Sequence, residues 1–169
     1  DTGDGLADMN VAAIYADPAG MMWFGTHVGL SRFDGTTWTT YRTSDGLSGD
    51  RIQAIAPAAD GRLWVGTRYS GACYQDSSGW KVLPGMDRDV EAIVQDRSGR
   101  MWFGGGSDES VSCFDGTTWR TFRSEALEHV TSIVQDRLDR MWFAGAQVTC
   151  FDGLFWNFYT QSDGLAAPG

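Results

Sequence analysis

Eight tryptophans constrain this chain more than any other feature, because they fall into two interleaved series of nearly constant spacing. The first series is Trp23, Trp64, Trp102 and Trp142, with steps of 41, 38 and 40 residues. The second is Trp38, Trp80, Trp119 and Trp156, with steps of 42, 39 and 37. The words around them repeat as well. Met22-Trp23-Phe24-Gly25-Thr26 returns as Leu63-Trp64-Val65-Gly66-Thr67, then as Met101-Trp102-Phe103-Gly104-Gly105 and Met141-Trp142-Phe143-Ala144-Gly145. Phe33-Asp34-Gly35-Thr36-Thr37-Trp38 recurs as Phe114-Asp115-Gly116-Thr117-Thr118-Trp119. Self-similarity at about 40 residues is the mark of a repeat architecture, read before any local assignment.

Each copy reads as four short strands. In the first, Val11 to Tyr15 is a strand, and Asp17-Pro18-Ala19-Gly20 is a turn. Met21 to Thr26 follows, then Leu30 to Phe33, an Asp34-Gly35 hairpin and Thr37 to Tyr41. No stretch sustains a 3.6-residue period, so no helix of consequence is expected. Four-stranded units repeating at this length, each with tryptophan and turn glycines, predict an all-β β-propeller of four antiparallel blades. Residues 1–169 then form a single propeller domain or half-propeller, with blades near 4–43, 44–85, 86–123 and 124–161. A large flat indole suits face-to-face packing of blades, each burying about 150–250 Å². The glycine two residues after the first tryptophan is expected to admit the next blade closely, although Ala144 replaces it in the fourth copy.

The 169 residues are 42% hydrophobic and 13% aromatic, enough for a buried core. A net charge of −9 argues against a phosphate-backbone partner and against an anionic membrane surface. No apolar run approaches the roughly 20 residues of a membrane helix. Cys73, Cys113 and Cys150 each precede an aromatic residue and are expected at one repeat position, filled by Arg32 in the first copy. Equivalent positions on neighbouring blades are too far apart for a disulfide, so three free thiols are expected. No metal-ligand spacing or cofactor motif is visible, and no cofactor is expected.

The residues resemble the two-component regulator propeller repeat. The first copy carries Asp4-Gly5-Leu6, Asn10-Val11, Ile14, Asp17, Gly20, Trp23, Gly25-Thr26, Gly29-Leu30 and Phe33-Asp34-Gly35. The second keeps Asp45-Gly46-Leu47, Ile52, Ile55, Asp60-Gly61, Trp64 and Gly66-Thr67. The third and fourth keep the tryptophan core and lose the Gly-Leu step. The resemblance implies a periplasmic or extracellular sensor region of a hybrid two-component system, binding a carbohydrate or another small polar ligand, and usually built from more blades. The chain begins and ends at the same phase of the repeat, Asp4-Gly5-Leu6 and Asp163-Gly164-Leu165. That phase leads to the expectation of four whole blades per chain, with two arrangements open: a closed four-bladed ring, or completion to eight blades by a second copy joined head to tail.

Packing residues repeat from copy to copy, so binding residues are sought where the copies differ. The loop between second and third strands diverges most: His27 in the first copy, Arg68-Tyr69 in the second, Asp108-Glu109 in the third, Ala146-Gln147 in the fourth. This loop opens on the same end as the linkers between copies, which carry Asp50-Arg51, Asp87-Arg88 and Glu128-His129. Gln53, Glu91 and Thr131 share one polar position at the start of the first strand. Ligand binding is therefore expected at His27, Arg68, Tyr69, Asp108, Glu109, Gln53 and Glu91. The turn aspartates Asp17, Asp60, Asp96 and Asp136, and the hairpin aspartates Asp34, Asp115 and Asp152, are expected to be structural. The alternatives are a structural or protein-interaction propeller and a lyase-like enzyme of streptogramin-lyase type. His27 and His129 occupy unlike parts of their repeats, and no nucleophile elbow or phosphate loop is present, so catalysis is not expected.

Overall fold

The computed structural model describes residues 2–86 and 88–165. Asp87, one of the linker residues singled out above, lies outside the described residues. Among the described residues, sixteen strands form four separate four-stranded antiparallel sheets, each in simple up-and-down order. The first sheet holds β1 (Val11–Ala16), β2 (Met22–Thr26), β3 (Gly29–Phe33) and β4 (Trp38–Tyr41). The second holds β5 (Ile52–Pro57), β6 (Leu63–Thr67), β7 (Ala72–Asp76) and β8 (Gly79–Val82). The third holds β9 (Ala92–Gln95), β10 (Met101–Gly104), β11 (Ser110–Phe114) and β12 (Trp119–Arg123). The fourth holds β13 (Ser132–Gln135), β14 (Met141–Ala144), β15 (Val148–Phe151) and β16 (Trp156–Tyr159). The helical content of the described residues is four three-residue 3-10 turns, as the lack of helical periodicity predicts. Residues 1–93 and 94–169 form two compact units.

Register follows the repeat. Phe33 faces Trp38, Phe114 faces Trp119 and Phe151 faces Trp156 across the outer hairpins. The β1 and β5 strands shift register between Val11 and Ala13 and between Ile52 and Ala54. Ala12 and Gln53 are therefore bulge residues.

The second sheet departs from the expected alignment twice. Trp23, Trp102 and Trp142 pair with Arg32, Cys113 and Cys150, but Trp64 pairs with Tyr74 rather than Cys73. Cys73 is thus equivalent to Ser31, and the three cysteines do not share one repeat position. The cause is one extra residue in the Arg68-Tyr69-Ser70-Gly71 loop, and a shift of one in a strand turns a side chain to the opposite face. All three thiols are free and buried. Asp60 is also displaced. The turn positions held by Asp17, Asp96 and Asp136 are defined by a backbone N–H donating to the carbonyl four residues on, and in the second sheet Ala58 makes that bond to Arg62.

The turn aspartates do more than shape a turn. Asp17 Oδ2 accepts the Trp23 indole N–H at 3.0 Å, Asp96 that of Trp102 at 2.9 Å, and Asp136 that of Trp142 at 2.8 Å. The other oxygen of each takes backbone N–H groups of the turn. Arg100 and Arg140 donate to the same carboxylates at 2.7 Å, and their guanidinium carbons lie 5.7 and 5.2 Å from the indole centroids. One carboxylate thereby fixes turn, arginine and tryptophan together.

Within each unit, one sheet presents a leading face to the trailing face of the sheet before it. In residues 1–93, Trp23, Leu30 and Tyr41 pack on Ile52, Leu63, Val65 and Trp80, with Trp23 and Trp80 rings 6.5 Å apart, edge to face. In residues 94–169, Trp102, Val111 and Phe122 pack on Val130, Phe143, Phe151 and Trp156. Strand-two glycines make this approach possible. A Cβ on Gly25 would lie 2.6 Å from Ile52 Cγ2, and on Gly66 or Gly104 2.6 Å from Cγ1 of Val90 or Val130. Ala144 occupies the same position in the fourth sheet and is exposed. Ile52, Val90 and Val130 are fully buried, whereas their equivalent Val11 is 37% exposed.

Candidate functional site

Antiparallel order places the strand-two to strand-three loops and the linkers at one end of each sheet, and the two tight turns at the other. The loop of the second sheet is the most elaborated within residues 1–93. Thr67 closes it, its backbone N–H and hydroxyl both donating to the Gly71 carbonyl at 2.9 Å. Arg68 N–H donates to Arg51 O at 2.8 Å, and Gly71 N–H to Arg88 O at 2.9 Å, tying loop to linker. Gly71 is obligatory: a Cβ there would fall 1.6 Å from Met86 O, at a φ of +69°.

Tyr69 sits in the left-handed region at φ 73°, a conformation that costs a bulky side chain energy and persists only where its surroundings enforce it. Asp89 does so, its Oδ1 accepting the Tyr69 N–H at 2.6 Å. Asp89 Oδ2 lies 3.9 Å from Arg68 Nε, and the Arg68 guanidinium stands 4.9 Å from the Tyr69 ring centroid. Tyr69 itself is 65% exposed. The result is an aromatic ring held out to solvent, with a guanidinium beside it and the loop backbone hydrogen-bonded to the linkers. Such a ring can stack on a sugar face, and its hydroxyl and the guanidinium can hydrogen-bond a polar ligand.

The structure brings together Arg68 and Tyr69 of the expected residues and adds Asp89, which sequence reading missed. Its only signal was proximity to the linker pair Asp87-Arg88. His27 is half-buried in the two-residue first loop, where Thr26 Oγ1 donates to Gly29 O at 2.8 Å and accepts Val28 N–H at 3.2 Å. Gln53 at its bulge and Glu91 just before β9 are half-buried. Within residues 94–169, Asp108 turns its carboxylate to the Ser110 hydroxyl at 2.7 Å, and its carbonyl accepts from Arg123 at 3.2 Å. Glu109 is exposed, at φ 52°, and its carbonyl accepts Ser124 N–H at 2.8 Å. No group of three or more metal-ligating side chains occurs among the described residues.

The turn ends carry clefts that sequence reading did not foresee. One of about 820 Å³ lies between the first and second sheets, lined by Tyr15, Asp17, Trp23, Arg62, Gln75 and Asp76, among others. Its carboxylates are already engaged. Burial works to raise the Asp17 pKa, but the bonds from Trp23, Met21 and Ala19 outweigh it and hold the group below the usual carboxylate range. The Ser78 hydroxyl and N–H do the same for Asp76. These groups are committed to the turns.

Three stretches, residues 5–27, 46–69 and 84–107, match the family described as Two component regulator propeller. No curated protein matches the sequence. Among solved structures, the extracellular domain assigned to the hybrid two component system BT3049 of B. thetaiotaomicron is similar at a TM-score of 0.77 and 21% identity, covering 92% of this chain and 23% of that one. The extracellular domain assigned to the one component system BT4673 of the same organism gives 0.78 and 17%, covering 95% and 24%. Virginiamycin B lyase from Staphylococcus aureus gives 0.71 and 14%, covering 89% and 55%. This chain spans about a quarter of the length of the two extracellular domains. At these identities the likeness establishes the β-propeller fold.

Proposed function

We propose, for a chain that carries two component regulator propeller repeats, a non-catalytic recognition module that binds a small polar ligand or carbohydrate at the loop end of its sheets. The observation that carries this reading is Tyr69, an exposed aromatic ring in a left-handed conformation enforced by Asp89 and flanked by Arg68. Strain of this kind concentrates where a side chain must be presented. Within residues 1–93, His27, Gln53 and Glu91 stand at the same end of their own sheets and belong to the proposed recognition surface; Asp108 and Glu109, at the loop end of their own sheet in residues 94–169, are proposed separately as ligand-binding residues of that unit. An extracytoplasmic location fits the relatives named as extracellular domains. No helix among the described residues is long and apolar enough to cross a membrane.

A non-catalytic reading is supported by the engagement of the acids. Asp17, Asp96 and Asp136 are engaged by tryptophan indoles and Asp60 by Arg62, and His129 and Glu128, 3.7 Å apart, stand open to solvent at 58 and 42% exposure. The test is a glycan and metabolite panel read by thermal shift. A ligand that raises Tm in the native chain and fails to do so in Tyr69→Ala and Arg68→Ala supports the reading. A panel that leaves Tm unmoved, or a ligand indifferent to both substitutions, contradicts it. The same proposal keeps a second copy of the chain as an expected partner, and a solution mass of 18.5 kDa would contradict that part of it.

A further inference from the structure

A cleft of about 360 Å³ opens at the turn end between the third and fourth sheets, within the range of small-ligand pockets, about 300–1,000 Å³. Its third-sheet wall is one row across the trailing face. Trp102 pairs with Cys113 and Cys113 with Arg120, and directly paired residues share a face. Arg100 flanks that row, its guanidinium carbon 5.7 Å from the Trp102 ring centroid. The facing wall is the Phe151–Trp156 pair, stacked with centroids 4.8 Å apart. Phe122 joins the two walls, 5.3 Å from both Phe151 and Trp156. Leu154 stands at the lip, 82% exposed.

Two of these residues break the repeat. At the register of Arg120 the first and fourth sheets have Thr39 and Asn157, and at the place of Leu154 the first and third hairpins have Thr36 and Thr117. The Arg120 side chain is exposed and makes no hydrogen bond or ion pair among the described residues. The acids beside it are taken up elsewhere. Asp96 accepts from Ser98, Arg100 and Trp102, and Asp115 from Thr117 and Thr118. Burial pushes the Cys113 thiol up to about 11, so it is neutral at pH 7. Arg100 gives its Nε to Asp96 at 2.7 Å, and its terminal nitrogens make no hydrogen bond among the described residues. The cleft therefore offers guanidinium donors that lack an acceptor, next to aromatic walls. A planar guanidinium fork matches a carboxylate, and a flat ring buries well against Phe151 and Trp156. Because two aspartates border the cleft, a singly charged acid fits better than a dianion.

We propose that this cleft binds a small aromatic carboxylate, with its charge on Arg120 and the terminal nitrogens of Arg100 and its ring against Phe151, Trp156 and Leu154. The site lies within residues 94–169 and does not rest on the loop-end reading around Tyr69.

Chemical-shift titration of the full chain with phenylacetate tests this. Saturable shifts are expected at the amides of residues 118–122 and 151–156 and at the indole N–H signals of Trp102 and Trp156. Acetate, which lacks the ring, and phenylacetamide, which lacks the charge, are each expected to bind roughly tenfold more weakly. Arg120→Gln is expected to weaken phenylacetate by about tenfold, and Leu154→Thr, which installs the residue of the first and third hairpins, by about threefold. Both positions are exposed, so the fold is kept. Arg137→Gln, at an exposed arginine of the fourth sheet that does not line the cleft, and Tyr69→Ala are expected to leave binding unchanged. The absence of saturable shifts at these residues, equal binding of acetate or phenylacetamide, or an Arg120→Gln effect no larger than that of Arg137→Gln overturns the site. Phenyl phosphate binding more tightly than phenylacetate overturns the choice of a singly charged acid, and a loss in Tyr69→Ala overturns the independence of the two sites.

Discussion

Gly104→Ala probes the packing logic of the repeat at one atom. Gly104 has no left-handed φ, so alanine meets no backbone penalty, and the entropy term favours alanine by about 0.5–1 kcal/mol. Against this, the new Cβ lies 2.6 Å from Val130 Cγ1, 2.9 Å from Val130 Cβ and 3.3 Å from Ile133 Cδ1. Carbon atoms rest at about 3.5–4.0 Å, so the fourth sheet must retreat by about 1 Å from the third. Overpacking of this size costs about 1–3 kcal/mol. The net expectation is a loss of about 1–2 kcal/mol, or a Tm lower by roughly 2–8 °C for a chain of this length. Urea unfolding followed by tryptophan fluorescence at fixed protein concentration measures it. Val130→Ala removes the opposing methyls, so the double variant should be about 1 kcal/mol more stable than the two single losses predict. A coupling indistinguishable from zero would refute the claim that the glycine exists to admit the next sheet.

Other consequences follow from the same contacts. Asp96→Ala should cost about 2–3 kcal/mol, because it strips the Trp102 indole, Arg100 and the turn N–H groups of one buried acceptor. The fold should survive, since Ala58 holds that position in the second sheet; a loss under 0.5 kcal/mol by urea titration would discount the carboxylate. For Asp96, burial works to raise the pKa, but the bonds from Ser98, Trp102 and Arg100 prevail and lower it. Its stabilisation is therefore complete above the unfolded value near ~3.9 and is lost as pH falls through the lower folded value. Tm should hold steady from neutral pH down to about 5 and fall below about 4, less steeply in Asp96→Asn; a decline that begins above pH 5 would point to other groups. Burial also pushes the Cys113 thiol up to about 11. Alkylation at pH 8 followed by mass spectrometry should leave it unmodified in the native chain and label all three cysteines after denaturation.

The tryptophan series made the four sheets, their strand order and the packing glycines legible, because these features recur where the repeat demands them. What sequence could not show came from single-residue offsets. One extra residue in the Arg68–Gly71 loop moved Cys73 to the Ser31 position and put Tyr74 opposite Trp64. Word matching aligned the aromatic residues instead, and the two-residue period of a strand makes that error flip a face. Asp60 was misplaced by two in the same way. At the loop end, Arg68 and Tyr69 stood out because they break the repeat, whereas Asp89 looked like an ordinary linker acid until the fold brought it under the Tyr69 N–H. The turn-end cleft depends on the spacing between sheets, which no local pattern encodes.

The claim that recognition belongs to the irregular loop end, and packing to the repeating positions, is tested most directly by backbone amide chemical-shift mapping with a ligand from the thermal-shift panel. The account predicts perturbations at residues 67–71 and 88–91. Shifts confined to the turn-end residues 15–23, 57–63 and 75–77 would contradict it and move the binding site to the 820 Å³ cleft.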